Sequence, residues 1–280
     1  MTIPYPHIPP VIFAVGPVAV RWYGVMYGVG YLLGYRLART RTARLILPIH
    51  RSTLDEWIGY LVIGMLIGAR LVYAAVYDRP AFVRDPLELL RIWHGGLSFH
   101  GAVLGMTIAC AIFARVHRVS FLAIADLLAL AGTPGLFFGR LGNFINGELY
   151  GRPSDVPWAM VFPSDPMHIS RHPSQLYEAL AEGVLLALII WTVTRWSLAR
   201  GWYRSGLLAG TFLVGYGVFR FLLEFTRQPD AQLGLVIGPL SMGQLLSVGM
   251  PVVGVLLIAF VARRPRFCDP VPRDAEHLSG

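Results

Sequence analysis

Seven apolar stretches, each roughly 17 to 21 residues long, divide this 280-residue chain, and the segments between them are rich in arginine. They fall at 18–38, 57–77, 98–116, 121–137, 173–193, 206–225 and 242–262. About 20 apolar residues in a helix match the hydrocarbon thickness of a bilayer. In lipid, each backbone polar group has to find its partner within the protein, so such stretches fold as helices. Composition agrees: 55% of residues are hydrophobic and 14% charged, against about 25% charged in a soluble domain. The expected fold is all-α, a polytopic membrane helix bundle of about seven transmembrane helices in a single integral membrane domain, 1–280.

Charge orients the spans. The 24 Lys and Arg positions are all arginine and give a formal net charge of +8. Arg39, Arg41, Arg44 and Arg51 follow the first span, Arg118 the third with Arg115 at its edge, Arg195, Arg200 and Arg204 the fifth, and Arg263, Arg264 and Arg266 the last. With seven spans these ends share one side, the cytoplasm by the positive-inside rule. The amino terminus is then outside and the carboxy terminus cytoplasmic. This distribution argues for topology and against nucleic-acid binding. MTIPYPHIPP lacks the basic segment and short apolar run of a cleavable signal peptide, so the first span is expected to drive insertion. Cys110 and Cys268 are poor material for a structural disulfide. Between spans four and five, 139–172 holds Pro153, Pro157, Pro163 and Pro166 and is expected to form an external, periplasmic loop or small cap. The fourth span is short and followed by glycines, which predicts a tilt or break near Gly135. Gly24 with Gly28, Gly30 with Gly34, Gly64 with Gly68 and Gly101 with Gly105 predict tight helix packing.

The segment GRLGNFINGELYG, 139–151, carries the densest polar content beside an apolar run: Arg140, Asn143, Asn146 and Glu148. Polar groups at membrane depth are costly and mark functional sites. A lone arginine there would snorkel to the headgroups. Followed by two amides and a carboxylate, it reads instead as one wall of a polar pocket, and its fork of donors suits phosphate or carboxylate. Arg220 and Glu224 stand one turn apart in RFLLE. They fit either a neutralised pair locking the bundle or an arginine that holds an anionic substrate while Glu224 orients it. His100, in WHGGLSFHG, can exchange a proton near neutral pH, or can bond a carbonyl at a helix end. Tyr23, beside Arg21, fits an interfacial belt as well as a site. His172, Ser174 and Gln175 stand at the mouth of span five, which Pro173 starts. Glu178 and Glu182 follow on one helix face; they, Arg70 and Asp126 either serve the site or close hydrogen-bond networks within the bundle. No cluster has the spacing of a metal site. Because the polar residues gather toward the outer half, a site accepting a charged headgroup fits better than an ion path through the full depth.

Together, GRLGNFINGELYG, WHGGLSFHG, HPSQLYE (172–178), RWYG (21–24) and RFLLEFTRQPD (220–230) resemble the motifs of the prolipoprotein diacylglyceryl transferase family, in the family's order and over most of the chain. The resemblance places that family's essential histidine at His100 and its signature arginine and asparagine at Arg140 and Asn143, with Glu148 and Gly151 completing the motif. It places the later arginine and glutamate at Arg220 and Glu224 and the early tyrosine at Tyr23. Prolines common in the family are missing at Leu130 and Thr133, while Asp126 and Gly135 are kept. The resemblance implies transfer of a diacylglyceryl group from phosphatidylglycerol to the lipobox cysteine of a preprolipoprotein signal peptide. A thioether forms and glycerol 1-phosphate leaves. Arg140 and Arg220 then act as phosphate clamps, with His100, Tyr23 or Glu224 as the base. Asn143, Asn146, Glu148, Gly151, His172, Ser174 and Gln175 line the substrate site. The scheme needs no metal or organic cofactor. A bacterial inner-membrane location with the site toward the outer leaflet follows, with membrane lipids as surroundings and the oligomeric state open. A membrane transporter or channel for a small anion is the alternative; it predicts paired halves related by hydropathy, which the sequence lacks.

Overall fold

The computed structural model describes residues 3–6, 8–16, 18–91, 95–228, 235–237 and 240–264. Helices form at all seven expected places. They are α1 (Trp22–Ala38), α3 (Arg51–Val76), α5 (Phe99–Val116), α6 (Phe121–Ile145), α7 (Ser174–Glu178) running into α8 (Leu186–Ala199), α9 (Leu207–Leu223) and α10 (Met242–Ala262). Short helices α2 (Arg41–Ile46) and α4 (Arg79–Arg84) lie in connections. Among the described residues, Arg51–Val76, Phe121–Ile145, Ser174–Ala199 and Gly243–Ala262 are long and apolar enough to cross a membrane. The bundle is therefore an all-α, multi-span membrane architecture. Leu104, Ile108 and Ile112 on α5, and Ile63, Ile67 and Leu71 on α3, form exposed apolar rows. Rows of that kind belong against lipid or a partner. Among the described residues, three two-stranded hairpins, which the apolar pattern does not announce, punctuate the bundle: β1–β2 (Val11–Val15 with Val18–Arg21), β3–β4 (Met160–Val161 with Ser170–Arg171) and β5–β6 (Leu235–Ile237 with Leu240–Ser241).

The chain divides into two compact units, Met1–Leu45 with Asp126–Gly280, and Ile46–Ala125. In the second unit α3 and α5 meet along a glycine seam. A Cβ on Gly105 would stand 2.0 Å from the Gly64 carbonyl oxygen, and one on Gly101 2.3 Å from that of Gly68. Arg70, buried in α3, donates to the carbonyls of Leu89 (3.2 Å), Gly95, Gly96 (3.0 Å), Glu88 (2.5 Å) and Arg91 (3.1 Å). It orders the segment that leads into α5.

In the first unit Gly30 and Gly34 of α1 face α6, where a Cβ would meet Gly135 Cα at 3.0 Å and the Ala131 carbonyl oxygen at 2.4 Å. Gly24 and Gly28 meet nothing within 4 Å among the described residues, so tight packing is confined to the inner pair. Of the expected tilt or break near Gly135, the break does not occur: α6 runs unbroken through Pro134 to Ile145. Its close packing on α1 holds the turn whose carbonyl loses a donor at the proline. Arg140 and Asn143 are therefore helical, and the segment that joins α6 to α7 starts after Ile145. Asp126, also in α6, accepts from Tyr203 Oη (2.7 Å) and from the backbone N–H of Gly206 (2.8 Å) and Ala209 (2.7 Å). That carboxylate caps the start of α9.

Candidate active site

The signature segment builds a helix end. Gly147 N–H donates to the Phe144 carbonyl (2.9 Å) and Glu148 N–H to that of Asn143 (3.0 Å), the paired bonds of a Schellman cap. Gly147 has φ +69°, a backbone conformation that suits glycine. The turn brings the Glu148 carboxylate back onto the helix, where Asn143 Nδ2 (2.8 Å) and Asn146 Nδ2 (3.4 Å) donate to it. Glu148 stays exposed while Asn143 is buried. Tyr23 of α1 lays its ring on Gly142, 3.0 Å from a Cβ there, and its hydroxyl lies 3.1 Å from that of Tyr27. Tyr23 thus packs beside the polar group that Asn143, Asn146 and Glu148 form.

The loop after this turn is held from two sides. Gln175 Nε2 donates to the Glu148 carbonyl (2.7 Å) and Ser174 Oγ to that of Leu149 (3.0 Å). Both side chains are buried and committed to loop backbone. Gly151 N–H bonds the His172 carbonyl (2.9 Å), and Arg152 bonds the Thr226 carbonyl through its N–H (2.8 Å) and the Arg227 carbonyl through Nε (2.9 Å). A Cβ on Gly151 would lie 2.4 Å from the Thr226 carbonyl oxygen, so only glycine fits where these strands close up. His172 Nδ1 and Tyr177 Oη lie 3.2 Å apart, and burial lowers the imidazole below its ordinary range, leaving it neutral at pH 7.

An ion cluster lies among α6, α7, the π-helical turn Ala179–Leu185 and α9. Arg140 Nε is 2.8 Å from Glu178 Oε2, and its Nη2 is 3.4 Å from Glu182 Oε2. Arg220 Nη1 is 3.1 Å from Glu178 Oε1 and its Nη2 is 2.8 Å from Glu224 Oε2. Arg227 Nη1 also reaches Glu178 Oε1, at 3.2 Å. Glu178 therefore ties three arginines together. Glu178 and Glu182 are fully buried, and the three arginine side chains keep between 12% and 18% exposure. Arg140 does not snorkel; it turns inward. The arrangement presents partly accessible cations backed by buried carboxylates, chemistry that suits an anion.

His100 belongs to the other unit. It lies exposed on the first turn of α5, after the cap in which Ser98 Oγ accepts from Gly101 N–H (3.2 Å). His94, Pro229 and Asp230 fall outside the described residues, as does Cys268. Glu178 and Glu182 gain weight over their place in the sequence. Arg227 joins the cluster through a partner 49 residues away, which no local spacing encodes; its position in RFLLEFTRQPD, two turns beyond Arg220, is the signal the sequence offers. Among the described residues no group of three His, Cys, Asp or Glu side chains could hold a metal.

A sequence profile described as "Prolipoprotein diacylglyceryl transferase" matches residues 10–260. Proteins named phosphatidylglycerol–prolipoprotein diacylglyceryl transferase are similar along nearly their whole length. That of Azospirillum brasilense is 46% identical over 270 residues, 95% of this chain and 98% of its own. Those of Bordetella parapertussis (267 residues) and Geobacter sulfurreducens (260 residues) are each 45% identical, covering 93% of this chain and 98% of theirs. Match and coverage together place this chain in the prolipoprotein diacylglyceryl transferase family.

Proposed function

We propose that the protein moves the diacylglyceryl group of phosphatidylglycerol onto the thiol of the lipobox cysteine of a preprolipoprotein. The sulfur–carbon bond of a thioether forms, the glyceryl carbon–oxygen bond to phosphate breaks, and glycerol 1-phosphate leaves. The observation that carries this reading is the convergence of Arg140, Arg220 and Arg227 on buried Glu178. A leaving phosphate gains charge as its bond breaks, and fixed guanidiniums lower that barrier by electrostatic preorganisation. Arg140 and Arg220 act as the clamp. The attacking species is a thiolate, so a base has to take the thiol proton. His100, Tyr23 and Glu224 are the candidates; Glu224 already pairs with Arg220 at 2.8 Å, which favours an orienting role for it. Asn143, Asn146 and Glu148 present amide and carboxylate groups to headgroup or peptide, while Gly151, His172, Ser174 and Gln175 hold the loop that positions them.

The reading includes seven spans in one integral membrane domain of the bacterial inner membrane. The amino terminus is outside, the carboxy terminus in the cytoplasm, the 139–172 segment on the periplasmic side, and the site opens to the outer leaflet. The arginine-rich ends of the helices support it.

Transfer of labelled diacylglyceryl from phosphatidylglycerol to a lipobox peptide, with purified protein in liposomes, tests the reaction. Wild type is expected to give a thioether product that a serine-substituted peptide does not. Arg140→Ala is expected to lose about a hundredfold or more in rate, and Arg140→Lys to recover only part, since a point charge lacks the fork. A folded wild type that makes no thioether would sink the reading.

A further inference from the structure

Among the described residues the ion cluster is balanced before any substrate arrives: Arg140, Arg220 and Arg227 stand against Glu178, Glu182 and Glu224. A phosphodiester brings one more negative charge. In a site this buried, an uncompensated charge costs several kcal/mol, so something has to neutralise it. The three carboxylates are not equally held. Glu178 touches three guanidiniums at 2.8, 3.1 and 3.2 Å. Glu224 lies 2.8 Å from Arg220 and presses on Gly243, where a Cβ would meet its Oε1 at 2.7 Å. Glu182 has one long contact, 3.4 Å to Arg140, and its Oε1 is buried with no hydrogen-bond partner among the described residues.

We propose that Glu182 balances the charge of the site: it takes up one proton when the lipid phosphate enters between the arginines, and releases it when the phosphate leaves. The idea rests on the transferase reading and adds a device to it. Groups facing Glu182 are Arg140 from α6, Glu178 one turn back on its own helix, and Arg220 and Tyr216 from α9. A phosphate that engages Arg140 withdraws the one cation Glu182 touches, and an unpartnered buried carboxylate is then most easily satisfied as the acid. Glu182 is a positioning residue here, acting on substrate through Arg140.

Proton uptake on binding has a defined signature: affinity falls about tenfold per pH unit once the free carboxylate is ionised. Phosphatidylglycerol binding to wild type in phosphatidylcholine nanodiscs would be measured by calorimetry, in buffers of different ionisation heat and across pH. About one proton per lipid is expected to be taken up, with affinity weakening as pH rises. Glu182→Gln, a neutral isostere, is expected to bind with no proton uptake and less than twofold change over the same range. Wild type alone decides if the variant fails to fold. Binding without proton uptake in a wild type that still transfers diacylglyceryl would overturn this proposal and leave the reaction standing; so would uptake that persists in a folded Glu182→Gln. A folded wild type that neither binds the lipid nor makes thioether would overturn both.

Discussion

Arg171 directs its donors into the protein rather than toward a substrate. Its Nε and Nη2 grip Asp165 at 2.6 and 2.9 Å, its guanidinium lies 4.9 Å from the centroid of the Tyr150 ring, and Nη1 reaches Gln228 Oε1 at 3.3 Å. Beside it, Tyr5, Phe144, Met160 and Phe162 form a small apolar core, with Tyr5 Oη donating to the Phe144 carbonyl at 2.5 Å. The Arg171 guanidinium holds the Asp165 carboxyl below its ordinary range. A carboxylate depressed in the folded state adds stability above its unfolded value of about 3.9, and that stability disappears as pH falls through the folded value. Asp165→Asn is therefore expected to cost about 3 kcal/mol at pH 7, since it leaves a buried arginine unpaired. Its stability should also change less with acid than that of wild type below pH about 4. Thermal unfolding in detergent across pH checks both, and a wild-type midpoint for Asp165→Asn at pH 7 would remove the pair from the stability of the cap. The sequence showed the Arg220–Glu224 pair because four residues separate its members. Asp165–Arg171 and the contacts of Glu178 span loops and different helices, and no local spacing encodes them.

At the level of elements, the apolar pattern located every long helix, and the ends that differ have causes. Asn-Gly at 146–147 supplies a helix stop, yet the polarity of 140–146 made that last turn and a half of α6 read as loop. Between Ser174 and Ala199 lies a feature no periodicity announces: Ala179–Leu185 is π-helical. An inserted residue of this kind is common at functional sites, and here it carries Glu182. The π turn also sets Gly183 on α6, where a Cβ would stand 2.6 Å from Phe137 Cβ and 2.8 Å from Phe137 Cα. Backbone cannot yield there as a flexible side chain would. Gly183→Ala is therefore expected to push the π turn from α6, lengthen the Arg140–Glu182 contact and lower diacylglyceryl transfer at least tenfold with helix content unchanged. Circular dichroism beside the transfer assay separates this from unfolding. A wild-type rate in Gly183→Ala would mean that the cluster tolerates the displacement.

For the molecule as a whole, the arginine pattern makes a stronger statement than the helices do, because length and apolar character say that a segment can cross and not in which direction. The helix Ser174–Ala199 runs from the 139–172 segment to Arg195 in its last two turns, with Arg200 and Arg204 just beyond its end. Each arginine on the wrong side would have to be carried across hydrocarbon, at about 2.5–3.5 kcal/mol at the centre of a helix, so the cluster at its end is expected to lie in the cytoplasm. Asp155 and Arg200 are both exposed and flank this one crossing. Single cysteines at these positions, with Cys268 changed to serine and buried Cys110 left in place, turn direction into a labelling result. Asp155→Cys is expected to react with a membrane-impermeant maleimide in intact spheroplasts, and Arg200→Cys only after permeabilisation. The reverse pattern would invert the topology and move the guanidiniums of Arg140 and Arg220, which lie on the Asp155 end of their helices, away from the outer leaflet. Labelling of both from outside would mean that Ser174–Ala199 does not cross, and the arginines would then have lost their role as the anchor of the bundle.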